Sequence, residues 1–159
     1  MAGLPQLIQE DVTALDAALD ALLHRSEAGA ALIIDKGGPL ISQRGAVEKF
    51  DATTVSALAA GAYSATDMIA QCLGETQLQH ICQQGGQLSL LISNVDENLL
   101  MIVIFPASLS VGAVKYYASA AVAAIAAQMQ KAAQREPGAA LDLVSLNVLD
   151  VSGVFRKSE

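Results

Sequence analysis

The sequence predicts a five-stranded antiparallel sheet held between helix layers, in the order α-β-β-α-β-β-β-α. Three observations carry that prediction. Leu99 to Phe105 reads LLMIVIF, apolar at every position, as a strand covered on both faces must be. Two pairs of short runs, Ala30 to Asp35 with Pro39 to Arg44 and Leu88 to Val95 with Asn98 to Phe105, each flank turn residues and read as hairpins. Three longer stretches repeat apolar residues at helical spacing, and the connections between all these segments are short.

The first helix spans Gln9 to Glu27, where Val12, Leu15, Ala18, Leu19, Leu22 and Leu23 form one face; Glu10, Asp11, Asp16 and Asp20 lie mainly elsewhere, toward the favourable N-terminal end. Lys36, Gly37 and Gly38 reverse the chain between the first two strands. Helix two starts at Asp51, whose carboxylate can cap the first turn, and stops at Gly74. Gln77 to Gln83 alternates as a weak strand at a sheet edge, and Gly85 and Gly86 break it from the second hairpin. The last helix runs from Ser110 to Ala133 with Val114, Tyr117, Ala121, Ile125 and Met129 inward, and Pro137 with Gly138 ends it. Residues 1–135 are thus one domain, and residues 136–159 a tail whose Leu141, Val144, Val148, Val151 and Phe155 repeat at helical spacing. That tail is expected to dock on its own domain or on another protein.

Composition narrows the function. Of 159 residues 53% are hydrophobic but only 4% aromatic, and the net charge is -7 with nine scattered Lys and Arg, which argues against a nucleic-acid partner. The longest strongly apolar run, Leu99 to Ala107, is about half the ~20 residues that a spanning helix needs, so no membrane insertion is expected. The start, MAGLPQLIQEDV, carries acids where a secretory signal has basic residues, which predicts a cytoplasmic protein. Cys72 and Cys82 lack paired spacing and read as buried thiols.

Helix two divides into three faces at about 100° per residue. Val55, Leu58, Ala59, Ala62, Thr66, Ile69 and Leu73 suit a sheet; Ala57, Gly61, Ser64, Ala65, Met68 and Cys72 would admit a second helix closely; Ser56, Ala60, Tyr63, Asp67 and Gln71 fill the third. That pattern predicts self-association through Ala57, Gly61, Ser64 and Met68 and recognition of a partner through Ser56, Ala60, Tyr63 and Asp67. Tyr63 would be the anchor, since interface centres favour aromatics.

Little in the chain points to catalysis. His24 and His80 have no neighbours at triad spacing; His80 and Cys82 share a strand face, but two ligands are too few for a metal and Cys72 would have to approach as a third. Lys36-Gly37-Gly38 and Gly85-Gly86 lack the context of a phosphate loop, and Asp96 and Glu97 lie in a turn. No cofactor, no metal and no active site of its own are expected.

The stretch AALIIDKGGPLIS, the helix FDATTVSALAAGAYSATDMIAQCLGE, the edge strand and glycine pair after it, then LLMIVIF and the helix after SLSVGAV resemble the roadblock (dynein light chain) family, most of all its bacterial MglB branch. The resemblance covers residues 9–132. It implies a homodimer in which helix two packs on its symmetry mate and the third strand, with Gln79 and Ile81, pairs across the two-fold axis. It also implies, as partner, a Ras-like small GTPase of the MglA type, activated without an arginine finger in the control of cell polarity and gliding motility. A noncatalytic scaffold or adaptor, binding a GTPase or motor component without altering turnover, is the alternative.

Overall fold

The computed structural model describes residues 3–135. Its elements are α1 (Gln9–Ser26), β1 (Ala30–Asp35), β2 (Leu40–Gly45), a 3-10 turn (Val47–Lys49), α2 (Ala52–Cys72), β3 (His80–Gln84), β4 (Leu88–Asn94), β5 (Leu99–Pro106) and α3 (Val111–Gln134). The five strands form one antiparallel sheet in the order β2-β1-β5-β4-β3. The predicted fold class and element order are those observed. The edge strand begins three residues later than expected, at His80, because the chain leaving α2 first places Leu78 against the core beneath that helix.

Alternation along β1 and β5 sorts the core into two layers. Ala31, Ile33, Leu99, Met101, Val103 and Phe105 meet α1 and α3 on one face, with Leu15, Leu19, Ile125 and Met129 among the partners. Leu32, Ile34, Leu100 and Ile102 meet α2 on the other. Each of these strand residues is fully buried, and burial of a Leu, Ile, Val, Phe or Met side chain contributes about 1.5–3 kcal/mol.

The ends of α2 are defined by local chemistry. Asp51 accepts from Thr53 N and Thr54 N at 3.1 and 3.2 Å, satisfying donors that the first turn leaves open. At the other end Gly74 takes φ +83°. Its N–H donates to Gln71 O, and Glu75 N donates to Ala70 O, closing the helix with the paired bonds of a Schellman cap.

Asp11 departs from the reading of α1. Expected off the apolar face with the other acids of the helix, it is 0% exposed. Its carboxylate accepts two bonds from the Arg135 guanidinium at 2.8 and 2.9 Å, one from Gln128 Nε2 and one from Ile8 N. One side chain thereby caps the start of α1 and ties it to the end of α3. The Arg135 guanidinium holds this carboxyl far below the usual carboxylate range, against the opposing effect of burial. The expected tail, with Leu141, Val144, Val148, Val151 and Phe155, lies outside the described residues, as does the Pro137-Gly138 stop.

Asp11→Asn should destabilise the fold by about 3 kcal/mol, since it leaves Arg135 without its counter-charge. A carboxyl with a lowered folded pKa stabilises fully above its unfolded value and loses that contribution as the pH falls. The gap between wild type and variant in urea midpoint should therefore be full at neutral pH and shrink below about pH 4.

Candidate functional site

Two helices cover one face of the sheet and a single helix covers the other, so the outer side of α2 is left to solvent. The large side chains along it are apolar: Leu58 is 69% exposed, Met68 65%, Ile69 60% and Leu73 79%. Between them lie Gly61, Ala62, Ala65 and Cys72, also exposed. Positions 58, 61, 65, 68 and 72 alternate by three and four, the spacing of a seam that packs on another helix. Gly61 has open space where a Cβ would stand.

This corrects the expected phase of α2. Leu58, Ile69 and Leu73 do not lie on the sheet. The side that does is Ser56, Ala59, Ala60, Tyr63 and Ala70. Small residues let the helix axis come close to the strands, and Ser56 is accommodated because its hydroxyl donates to Ala52 O at 2.6 Å. Tyr63 lays its ring inward and donates from its hydroxyl to Leu78 O at 2.9 Å, bracing the segment that leads into β3. Of the residues expected to meet a partner, Ser56, Ala60 and Tyr63 are therefore buried at 0, 5 and 6% exposure and do not form the outer surface of α2, although Ala60 and Tyr63 line a hollow at its flank. Asp67 is half-buried at the flank. Ala57, Gly61, Ser64 and Met68, expected at a dimer contact, are exposed.

The second surface is β3. It pairs only with β4, so its other side is an open sheet edge. Asn94 N donates to Gln79 O, and Gly85 N donates to Leu88 O. Alternation along an antiparallel ladder then turns the backbone of Gln79, Ile81 and Gln83 toward β4 and that of His80, Cys82 and Gln84 outward. The pairing positions on the open side are thus His80, Cys82 and Gln84, not the expected Gln79 and Ile81. Ile81 instead packs its side chain against the α2 layer.

Both cysteines are exposed, which overturns the reading of them as buried thiols. Cys72 falls on the outward seam of α2, and Cys82 at the uncovered edge. His80 bonds Ser93 Oγ through Nδ1 at 3.1 Å, and burial, then Lys115, lowers its pKa. It shares the α1/α3 side of the sheet with Cys82, whereas Cys72 is on the α2 side. Among the described residues no cluster of three His, Cys, Asp or Glu could hold a metal, and no helix is long and apolar enough to cross a membrane.

Beside α2 is a hollow of about 510 Å³, with Lys36, Tyr63, Asp67, Asn94, Asp96 and Glu97 on its walls. The Lys36 Nζ stands 5.4 Å from the centroid of the Tyr63 ring. Burial lowers the Lys36 pKa, with Asp96, Asp67 and Glu97 pulling the other way. The sequence singled out Ala60, Tyr63 and Asp67 on its α2 wall, but not their convergence with Lys36, Asn94, Asp96 and Glu97, because the walls come from four separated segments.

The Roadblock/LC7 domain model matches residues 15–105, more than half of the chain. The chain belongs to the Roadblock/LC7 family. Among solved structures, this Roadblock/LC7 protein is similar to Myxococcus xanthus MglB, at 25% identity and TM-score 0.76, over 82% of this chain and 98% of that one. It is similar to the gliding protein MglB of Thermus thermophilus, at 25% identity and TM-score 0.73, over 82% and 99%. A Roadblock/LC7 domain from Streptomyces avermitilis shares the fold at 17% identity and TM-score 0.65, over 72% and 97%. No protein of curated function matches the sequence. Family and fold together support a roadblock-type adaptor or regulator.

Tyr63→Phe should cost about 1 kcal/mol in urea unfolding through loss of the bond to Leu78 O. Tyr63→Ala should cost about 3–5 kcal/mol, as a buried aromatic does.

Proposed function

We propose that the protein is a cytoplasmic homodimer that regulates a Ras-like small GTPase of the MglA type, stimulating hydrolysis without inserting an arginine. The observation that carries this reading is the outward apolar seam of α2, which lies on the same side of the sheet as the half-buried Ile81 of the open edge strand. An exposed apolar stripe of this length marks an interaction surface. An open edge beside it offers unpaired backbone groups to a second copy. In the proposed dimer Gly61 and Ala65 allow close approach of two α2 helices, flanked by Ala57, Ser64 and Met68. Leu58, Ile69 and Leu73 extend the seam toward the GTPase.

The arginines among the described residues favour a mechanism without a finger. Arg44 is held by Asp20 at 2.8 Å and Arg135 by Asp11, while Arg25 is on α1. None lies on α2. Stimulation would then come from holding the GTPase in a hydrolysis-competent arrangement rather than from a donated charge. Similarity to two MglB proteins over nearly their whole length supports the choice of partner.

The test is GTP turnover by an MglA-type GTPase with and without this protein, alongside a binding measurement in GTP-analogue and GDP states. Faster turnover with GTP-state binding is the expected result; a stable complex with unchanged turnover would establish the adaptor instead. Gly61→Leu is a clean probe of the dimer, because the added side chain meets nothing within the protomer. It should shift the mass by light scattering toward the monomer while leaving the melting temperature of the protomer unchanged.

A further inference from the structure

We propose that the hollow between α2 and the β4–β5 turn is a socket for the guanidinium of an arginine carried by a protein partner. The inference goes beyond the regulatory reading, since it holds for an activator and an adaptor alike. Its starting point is Asn94, which lines the hollow and is 9% exposed. Among the described residues its Oδ1 is the one buried side-chain N or O atom with no hydrogen-bond partner. A buried acceptor left in this way calls for a donor that the described residues do not supply.

The walls specify which donor. Asp67, Asp96 and Glu97 set three carboxylates against the single cation of Lys36, and Lys36 makes no direct ion pair among the described residues. Asp67 bonds Gln71 through Oδ2, and Asp96 bonds Asn98 N and Leu99 N through Oδ1. The other oxygen of each carboxylate has no bond among the described residues. The Tyr63 ring, anchored by Leu78 O, supplies an aromatic face to which Lys36 already lies close.

These features favour a guanidinium over an ammonium. The planar group stacks on an aromatic ring, gives up its hydration readily and carries five donors, enough to serve Asn94 Oδ1 and two carboxylates together. Lys36 is tied at its backbone, where its N–H donates to Asn98 O at 2.8 Å, while its side chain is long enough to yield. Ser64 and Asp67 form the α2 wall, next to Met68 of the outward seam. A partner lying along α2 therefore brings its side chains to the mouth of the socket.

The test is an amide NMR titration of the full chain with N-acetyl-arginine amide, N-acetyl-lysine amide and N-acetyl-citrulline amide. The arginine probe should give saturable shifts at Thr76, Gln77, Asn94, Asp96 and Glu97, with the lysine probe about fivefold weaker and the uncharged citrulline probe inactive. Asn94→Ala should weaken the arginine probe about tenfold while leaving the melting temperature unchanged or raised, since it removes an unsatisfied buried acceptor. An equal response to citrulline would overturn the proposal, as would shifts confined to other acids such as Asp16 and Asp20. A lower melting temperature in Asn94→Ala with unchanged binding would also overturn it. If Arg156→Gln in the full chain tightened the arginine probe about tenfold, the occupant would be the chain's own C-terminal segment, and the partner assignment would fall.

Discussion

The fold depends on a pair of central strands that must be dry on both sides. β1 and β5 place Leu32, Ile34, Leu100 and Ile102 toward one layer and Ile33, Met101, Val103 and Phe105 toward the other. No arrangement with helices on one face could bury both sets. The order of elements then decides how the layers are shared. β2 and β3 occupy opposite edges, so the helix between them must cross the whole sheet alone. α1 and α3 pack side by side on the other face and shield one another. The lone crossing helix keeps an uncovered back, and the surface available for recognition follows from that imbalance.

Element order, hairpins and helix limits were legible because each rests on local signals: LLMIVIF, the Asp51 cap and the Gly74 stop. The rotation of α2 about its axis was not. Leu58, Ile69 and Leu73 dominate any hydrophobic pattern, yet the buried face is built from Ser56, Ala59, Ala60 and Tyr63. A helix lying close to a sheet needs small residues beneath it, and its largest apolar groups are then free to serve another surface. Apolar character alone does not say which of two apolar faces meets the protein's own core. Here the polar atoms say it: the Ser56 hydroxyl finds Ala52 O, and the Tyr63 hydroxyl finds Leu78 O.

Other features were hidden by distance along the chain. Asp11 and Arg135 are joined across 124 positions, and Asp11 by itself looks like any acid in a first helical turn. Asn94 sits where a strand runs into a turn, a position where Asn needs no special reason. Its meaning comes from neighbours contributed by α2, the segment before β3 and the end of β1. Sequence periodicity carries the scaffold well, because burial on a helix or strand repeats. It carries convergent polar groups poorly, because they repeat nowhere.

The two edges of the sheet are unequal, and that inequality bears on how an assembly would end. β2 carries a register shift against β1 at Ile33 and Ile34, begins after a proline, and holds Arg44 against Asp20. Such features discourage strand addition. β3 is more regular, and its outward backbone groups are those of His80, Cys82 and Gln84. Joining β3 to β2 would leave a fresh edge at each step and grow without limit. Joining β3 to β3 uses the same edge of both copies and leaves only the protected ones outside, so growth by strand addition stops at two.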